Sequence, residues 1–447
     1  MEKVITIKDE IVKKVKAENV RFIKLFFVDL YGALKCVEIS AKELDKALEN
    51  KVMVDGSSIL GFAAINNSDA FLVPDLTTFK VLPFCATEKW NVAMLMCDML
   101  GHDGAPADSC TRTNLKRVLS KLDGTDFSNL NVGFEIEFYL FKRKPIGGVL
   151  PEDLLDCGGY CENENNDRGA VVRREIMYQL EQMGFSCSTS HHEVGPSQSE
   201  VNYLFATALK ACDNLVLVKH LIKTIAQKYG YFATFMPKPK EGMAGSGMHT
   251  NVSLCLKAGA NAFWDAKQKD ISDTAKSFIA GILKHARAIC FLTNPSVNSY
   301  YRLIKHFEAP VNACWSMSNR SAMVRVPRAT GNSARAEIRN ADLSANPYLA
   351  VAGILTAGLD GVLGKAQHIE PVNQNIFGLS EKQKEQLKID ALPTSLDEAM
   401  DAFKHDALIK SAVTEKIANE LYKHRGREIL DYRNDESRFK IDQYLDL

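Results

Sequence analysis

Five consecutive residues, Phe134-Glu135-Ile136-Glu137-Phe138, constrain this chain more than any others. In an extended strand alternate side chains share a face, so the apolar residues point one way and both glutamates the other. Two carboxylates held side by side repel each other unless a proton or a cation lies between them. The segment predicts either the wet face of an edge strand, where exposed glutamates are ordinary, or a buried strand built around a cation. Tyr139-Leu140-Phe141 prolongs the apolar character, so a strand is expected over residues 131–141.

Three further segments supply the same chemistry. His191-His192-Glu193-Val194-Gly195-Pro196-Ser197-Gln198-Ser199-Glu200 sets Glu193 and Glu200 on either side of a Gly-Pro turn. In Gly245-Ser246-Gly247-Met248-His249 the glycines permit close backbone approach to a ligand, and His249 opens the strand after it. Alternation in Arg335-Ala336-Glu337-Ile338-Arg339 puts Arg335, Glu337 and Arg339 on one strand face, which also suits a plain salt-bridge ladder. Together, five carboxylates and one imidazole on strand and turn positions make an oxygen-rich donor set that suits Mg²⁺ or Mn²⁺ better than Zn²⁺. Arg302, Arg320, Arg325, Arg335 and Arg339 crowd one short stretch, and planar guanidinium groups bind phosphate and carboxylate. Cations beside clustered arginines imply phosphoryl transfer, where positioning and charge neutralisation carry the catalysis. No GxxxxGK[ST] is present, which excludes a P-loop enzyme.

The 447 residues fit two or three domains. Lys plus Arg equals Asp plus Glu, 55 against 55. No global field therefore draws the chain to nucleic acid or an anionic membrane, and neutrality mildly favours self-association. The N-terminus MEKVITIKDEIVKKV lacks the apolar core of a signal peptide, and the apolar stretch 350–363 is broken by Asp360. The 11 cysteines are odd in number and without a CxxC pair, so reduced thiols and a cytoplasmic location are expected.

The first hundred residues read as β-rich, with a hairpin turning at Asp29-Leu30-Tyr31-Gly32. A capping box of Ser40 and Glu43 opens a helix over 41–51, and residues 55–69 form an irregular loop. The turn-rich segment 100–109 predicts a boundary between domains 1–104 and 105–447. Beyond it, helices are expected over 111–122, 172–184 and 214–230, and a single one over 274–292 closed by Asn294-Pro295. The elements do not alternate strictly, so the fold class is α+β, with helices packed on a largely antiparallel sheet.

At these residues the chain resembles the bacterial and archaeal type of glutamine synthetase. The resemblance runs from about Val20 to Tyr348 with a weaker tail, through VDGSSI (54–59), SDAFLVPD (68–75), FEIEFYLF (134–141), SHHEVGPSQSE (190–200), FMPKP (235–239), GSGMH (245–249), NSYYRL (298–303), FEAP (307–310), NRSAMVRVP (319–327) and AEIRNADLSANPYLA (336–350). It implies a small N-terminal β-grasp-like domain and a large C-terminal catalytic domain. It also implies a homo-oligomer, a dodecamer of two stacked rings with active sites between subunits, and leaves room for a regulatory protein partner. The implied reaction is ATP- and metal-dependent ligation of ammonium to glutamate through γ-glutamyl phosphate. A related ligase using another amine or carboxylate, or a non-catalytic regulatory paralogue, is the alternative.

Residue by residue, the resemblance assigns one of two or more Mg²⁺ or Mn²⁺ ions to Glu137, Glu193 and Glu200, and another to Glu135, His249 and Glu337. It assigns the substrate to Gly245, Arg302 and Arg339, the transferred phosphate to Arg320 and Arg325, and the nucleotide to Ser253 and Arg335. Asp55 matches the ammonium-side carboxylate supplied by a neighbouring subunit, and Glu308 matches the flap over the intermediate. Phe377 stands where the adenylylated subtype has its modified tyrosine, so the chain is similar to the shorter, unadenylylated subtype. It departs from the pattern at Ala244, usually Asn, in the flap Lys305-His306-Phe307-Glu308, usually Pro-Gly-Tyr-Glu, and at Ala64, often a feedback-sensing Arg.

Overall fold

The computed structural model describes residues 2–63, 65–305, 307–435 and 443–447. Ala64 and His306 therefore lie outside the described residues.

A helix, Glu2–Ala17, precedes the first sheet, whose strand order is Leu34–Ser40, Val20–Val28, Asn91–Leu100, Asp69–Pro74 and Val52–Asp55. The two central strands, Val20–Val28 and Asn91–Leu100, run parallel, and their neighbours are antiparallel. The expected hairpin forms as read: Asp29 Oδ1 accepts from the backbone N–H of Tyr31 and Ala33, which fixes the turn. Ser40 does act as a cap, accepting from Lys42 N. The first turn after it is a 3-10 helix, though, and the α-helix spans only Leu44–Leu48. Val52–Asp55 is the edge strand of this sheet, and Asp55 is its exposed last residue.

The second sheet carries the chemistry. Its order is Trp315–Ser316, Val324–Arg325, Ala336–Ile338, Met248–Leu256, Phe127–Phe141, Gln198–Tyr203 and Cys187–His192. All these pairings are antiparallel except that of the two outermost short strands, Trp315–Ser316 and Val324–Arg325. The long strand Phe127–Phe141 is central, not an edge, and Phe134, Ile136 and Phe138 are buried in the main core. The helix Ala208–Lys228 packs against it, and Pro347–Leu363 packs on Asp273–Lys284. The single helix expected over 274–292 is two, Asp273–Lys284 and Ala286–Thr293, broken at His285. There the ring nitrogens are held by Asp406 at 2.5 Å and Asp360 at 3.2 Å.

Arg112 joins the two sheets. Its guanidinium, 2% exposed, bonds Asp213 twice, at 2.9 and 2.8 Å, together with Asp98 at 2.9 Å and Asp75 at 2.7 Å. Asp75 and Asp98 belong to the first sheet's region, and Asp213 lies on the helix behind the second. All eleven cysteines are free, and no described helix is long and apolar enough to cross a membrane.

Candidate active site

Strand register assembles the charged groups. Glu200 lies opposite Glu137, and His249 opposite Glu135. Glu337 pairs with Asn251 on one side and Arg325 on the other. Because side chains of period two share a face, one row of Glu200, Glu137, Glu135, His249, Glu337 and Arg325 crosses five neighbouring strands. Glu193 joins it from the turn between Cys187–His192 and Gln198–Tyr203, where its N–H donates to Gln198 O at 2.9 Å. The sequence demands glycine in two places here. A Cβ on Gly195 would stand 2.1 Å from the Tyr139 hydroxyl, and one on Gly247 2.6 Å from an Arg302 nitrogen.

The row lines a cavity of about 650 Å³. Around it stand Glu135, Glu137, Glu193, Glu200, His249, Gly245, Arg302, Glu308, Arg320, Arg325 and Arg339. Glu337 is fully buried beneath them, bonded by Arg325 Nε at 2.5 Å and Arg339 Nη1 at 2.6 Å. Arg302, at the end of the helix Val297–Arg302, is fixed by its donations to Asn340 O at 2.6 Å and Arg339 O at 3.1 Å. Glu308 takes a left-handed backbone, φ 57°, and its carbonyl accepts from Arg339 Nη2 at 3.3 Å. Ser253 and Arg335 open on an adjoining cavity of about 380 Å³, which shares Glu135 and Asn202 with the first. Arg335 Nε donates to Asn251 Oδ1, the residue opposite Glu337. Asp55 is not brought to either cavity within one chain. It is exposed, and Ser57 and Ser58 bond its carboxylate and hold it below the usual range.

The carboxylates are crowded. Burial pushes Glu200 up to about 9, reinforced by the charges of Glu137 and Glu135. Burial also raises Glu137. Burial acts upward on Glu135 too, but the hydrogen bond and charge of His249, 3.0 Å away, hold it down to about 2. Such a cluster accepts either protons or a divalent cation. Oxygen atoms of Glu135 and Glu337 and a nitrogen of His249 lie within 4.8 Å of one another, as do atoms of His191, Glu193 and Glu200. Both groups fit a hard divalent ion. A third cluster, Asp156, Asp167 and His192, is already satisfied: Asp167 pairs with Arg173, and Asp156 accepts from His192, Ser197 N and Arg168 N.

Several cavity residues escaped the sequence reading. Tyr160 packs edge-on against His191, with ring centroids 5.2 Å apart, and Gln198 and Asn202 complete the wall with Phe307 of the expected flap. Ser199-Glu200-Val201-Asn202 carried a signal for one of them, since alternation puts Asn202 on the face of Glu200.

Known proteins are similar to this chain in sequence and fold. A family model described as the glutamine synthetase β-grasp domain matches residues 19–102, and one described as the glutamine synthetase catalytic domain matches residues 108–444. The glutamine synthetases of Staphylococcus aureus (strain MW2) and Staphylococcus epidermidis (strain ATCC 12228) are each 44% identical over 439 residues, covering 98% of this chain and 98% of theirs. Solved structures titled as a GmaS/ADP complex and as apo GmaS without ligand superpose with a TM-score of 0.85 at 28% identity, covering 96% of this chain and 98% of theirs. The chain belongs to the glutamine synthetase family and is a ligase of its bacterial type I.

Proposed function

We propose that this ligase condenses ammonia with the γ-carboxylate of L-glutamate, driven by ATP through γ-glutamyl phosphate. The observation that carries the reading is the single cavity in which carboxylates, His249 and four arginines meet, beside a second cavity that can take a nucleotide. A carboxylate is a poor electrophile, and transfer of the ATP γ-phosphoryl group gives it a good leaving group.

Arg302 and Arg339 clamp the substrate α-carboxylate, because guanidinium forks match that group. Ser253 and Arg335 contact the nucleotide, whose phosphates enter the first cavity past Glu135 and Asn202. Arg320 and Arg325 neutralise the phosphoryl oxygens as charge develops on them. Divalent ions held by Glu137, Glu193 and Glu200 and by Glu135, His249 and Glu337 would neutralise phosphate charge when bound. Glu308 and a neighbouring subunit's Asp55 attract ammonium and take its proton. Because one chain leaves Asp55 outside the cavity, this role requires a homo-oligomer, a dodecamer on the family pattern. Residues 1–104 then present Asp55 and residues 105–447 the rest.

The experiment is phosphate release with ATP, Mg²⁺ and glutamate against a panel of amines. Ammonium should be the best acceptor. A larger amine used far more efficiently would favour the second reading, a γ-glutamyl-amine ligase, for which Ala244 in the cavity wall leaves room.

A further inference from the structure

Lys238 is a buried cation without an ion pair among the described residues. It is 4% exposed. Its Nζ donates to the Met243 carbonyl at 2.5 Å and sits 3.7 Å from the centroid of the Phe307 ring. Burial and the nearby charge of Arg302 push its ammonium down to about 8, against the influence of Glu241, so it keeps its charge at neutral pH. A buried charge is costly where an apolar side chain would fill the space, which asks for a reason.

Its surroundings supply one. The main chain of Lys238 is held from both sides by Asn298, which accepts from its N–H at 2.7 Å and donates to its carbonyl at 3.1 Å. Asn298 lies on the helix that ends in Arg302. The preceding carbonyl, of Pro237, accepts from Ser246 N at 2.8 Å. From this anchored base the side chain reaches two walls of the substrate cavity. One is the turn that runs from Met243 into Ala244 and Gly245, and the other is Phe307, next to Glu308.

We propose that Lys238 is a positioning residue that fixes these two walls against each other, and so decides whether the acyl phosphate meets an amine or water. The proposal rests on the ligase reading above. In the productive step the amine nitrogen attacks the acyl carbon, the carbon–oxygen bond to phosphate breaks, phosphate leaves with the electron pair, and a carboxylate takes the proton. If water attacks the same carbon, glutamate and phosphate form, and ATP is spent without an amide.

The test is the ratio of phosphate released to amide formed, with KM for glutamate and for ATP, in the full chain. The wild type should release one phosphate per amide. Lys238→Met should release roughly three- to tenfold more phosphate than amide and raise KM for glutamate while sparing that for ATP, the scale of a lost cation–π contact. Phe307→Leu should share this behaviour, and Phe307→Tyr should stay coupled. Lys238→Arg should recover most of the coupling, since a guanidinium also lies over a ring. Coupled turnover with unchanged glutamate KM in both Lys238→Met and Phe307→Leu would overturn the proposal. If Lys238→Met does not fold, the two Phe307 variants decide it. A wild type that forms no amide with any amine would sink the ligase reading instead, so the two failures are distinguishable.

Discussion

Replacing Arg112 with Met tests how the two sheets are held together. The guanidinium makes four hydrogen bonds to Asp75, Asp98 and Asp213, and Asp213 also accepts from the Tyr348 hydroxyl at 2.7 Å. The variant keeps the apolar stem but removes the shared cation from three carboxylates, 19%, 18% and 8% exposed, Asp98 keeping its pairing with Lys116. Removing one partner of a buried ion pair costs about 3–5 kcal/mol. At ~2–4 °C per kcal/mol for a large domain, the melting temperature should fall by about 10 °C.

Acid should narrow the gap. Burial raises the Asp75 carboxyl, but the Arg112 hydrogen bond outweighs it and holds the group below its ordinary value. That stabilisation is present above the unfolded carboxylate range and is lost as pH falls through the depressed folded value. In Arg112→Met the burial of Asp75 remains without that bond, so its folded carboxyl rises and protonation relieves it. Melting curves at about pH 7.5 and about pH 5 measure both effects, the pH values being chosen to straddle that relief. A variant that melts within about 2 °C of the wild type at the higher pH, or a gap that widens in acid, would refute the reasoning.

Ala244→Asn should add a hydrogen-bond acceptor to the cavity wall and lower KM for glutamate by roughly tenfold without changing that for ATP; steady-state kinetics on both substrates decide it. Gly247→Ala should abolish activity at normal expression, because the new methyl group would stand 2.6 Å from an Arg302 nitrogen. Asp55→Ala and Glu137→Ala subunits, each inactive, should regain activity when unfolded and reassembled together, because some mixed sites then draw both intact residues; no recovery in co-assembled oligomers would contradict a shared site. Glutamine should inhibit weakly compared with relatives that carry Arg at position 64, measured as the glutamine concentration that halves the rate.

Much of the site was legible because its residues obey strand periodicity. Glu135 and Glu137, Glu200, His249 and Glu337 each stand in a short alternating segment, and the sheet had only to align them. What the alternation left open was whether Phe127–Phe141 lies at an edge. It is central because strands arrive on both flanks, from residues 198–203 and 248–256, which no local pattern encodes. Tyr160 and His191 were missed for the same reason: they sit in irregular or turn-flanking backbone, and their meeting is tertiary. The helix Glu2–Ala17 was hidden by its lysines, which leave Ile11 and Val15 as the buried residues among its described side chains. At the break, His285 is held by two aspartates, Asp360 and Asp406, far along the chain. Asp55 shows a different limit: in one copy of the chain it is an exposed carboxylate bonded by Ser57 and Ser58, and its proposed role can be tested only in the assembled protein.

The most direct test of the central claim traces the oxygen of the γ-carboxylate. Glutamate labelled there with ¹⁸O is incubated with the protein, ATP, Mg²⁺ and ammonium, and the released phosphate is analysed by mass. Activation as an acyl phosphate predicts one labelled oxygen in the phosphate for every glutamine formed, with no turnover in excess chelator. Glutamine formed with the expelled label in water and none in phosphate would contradict the account.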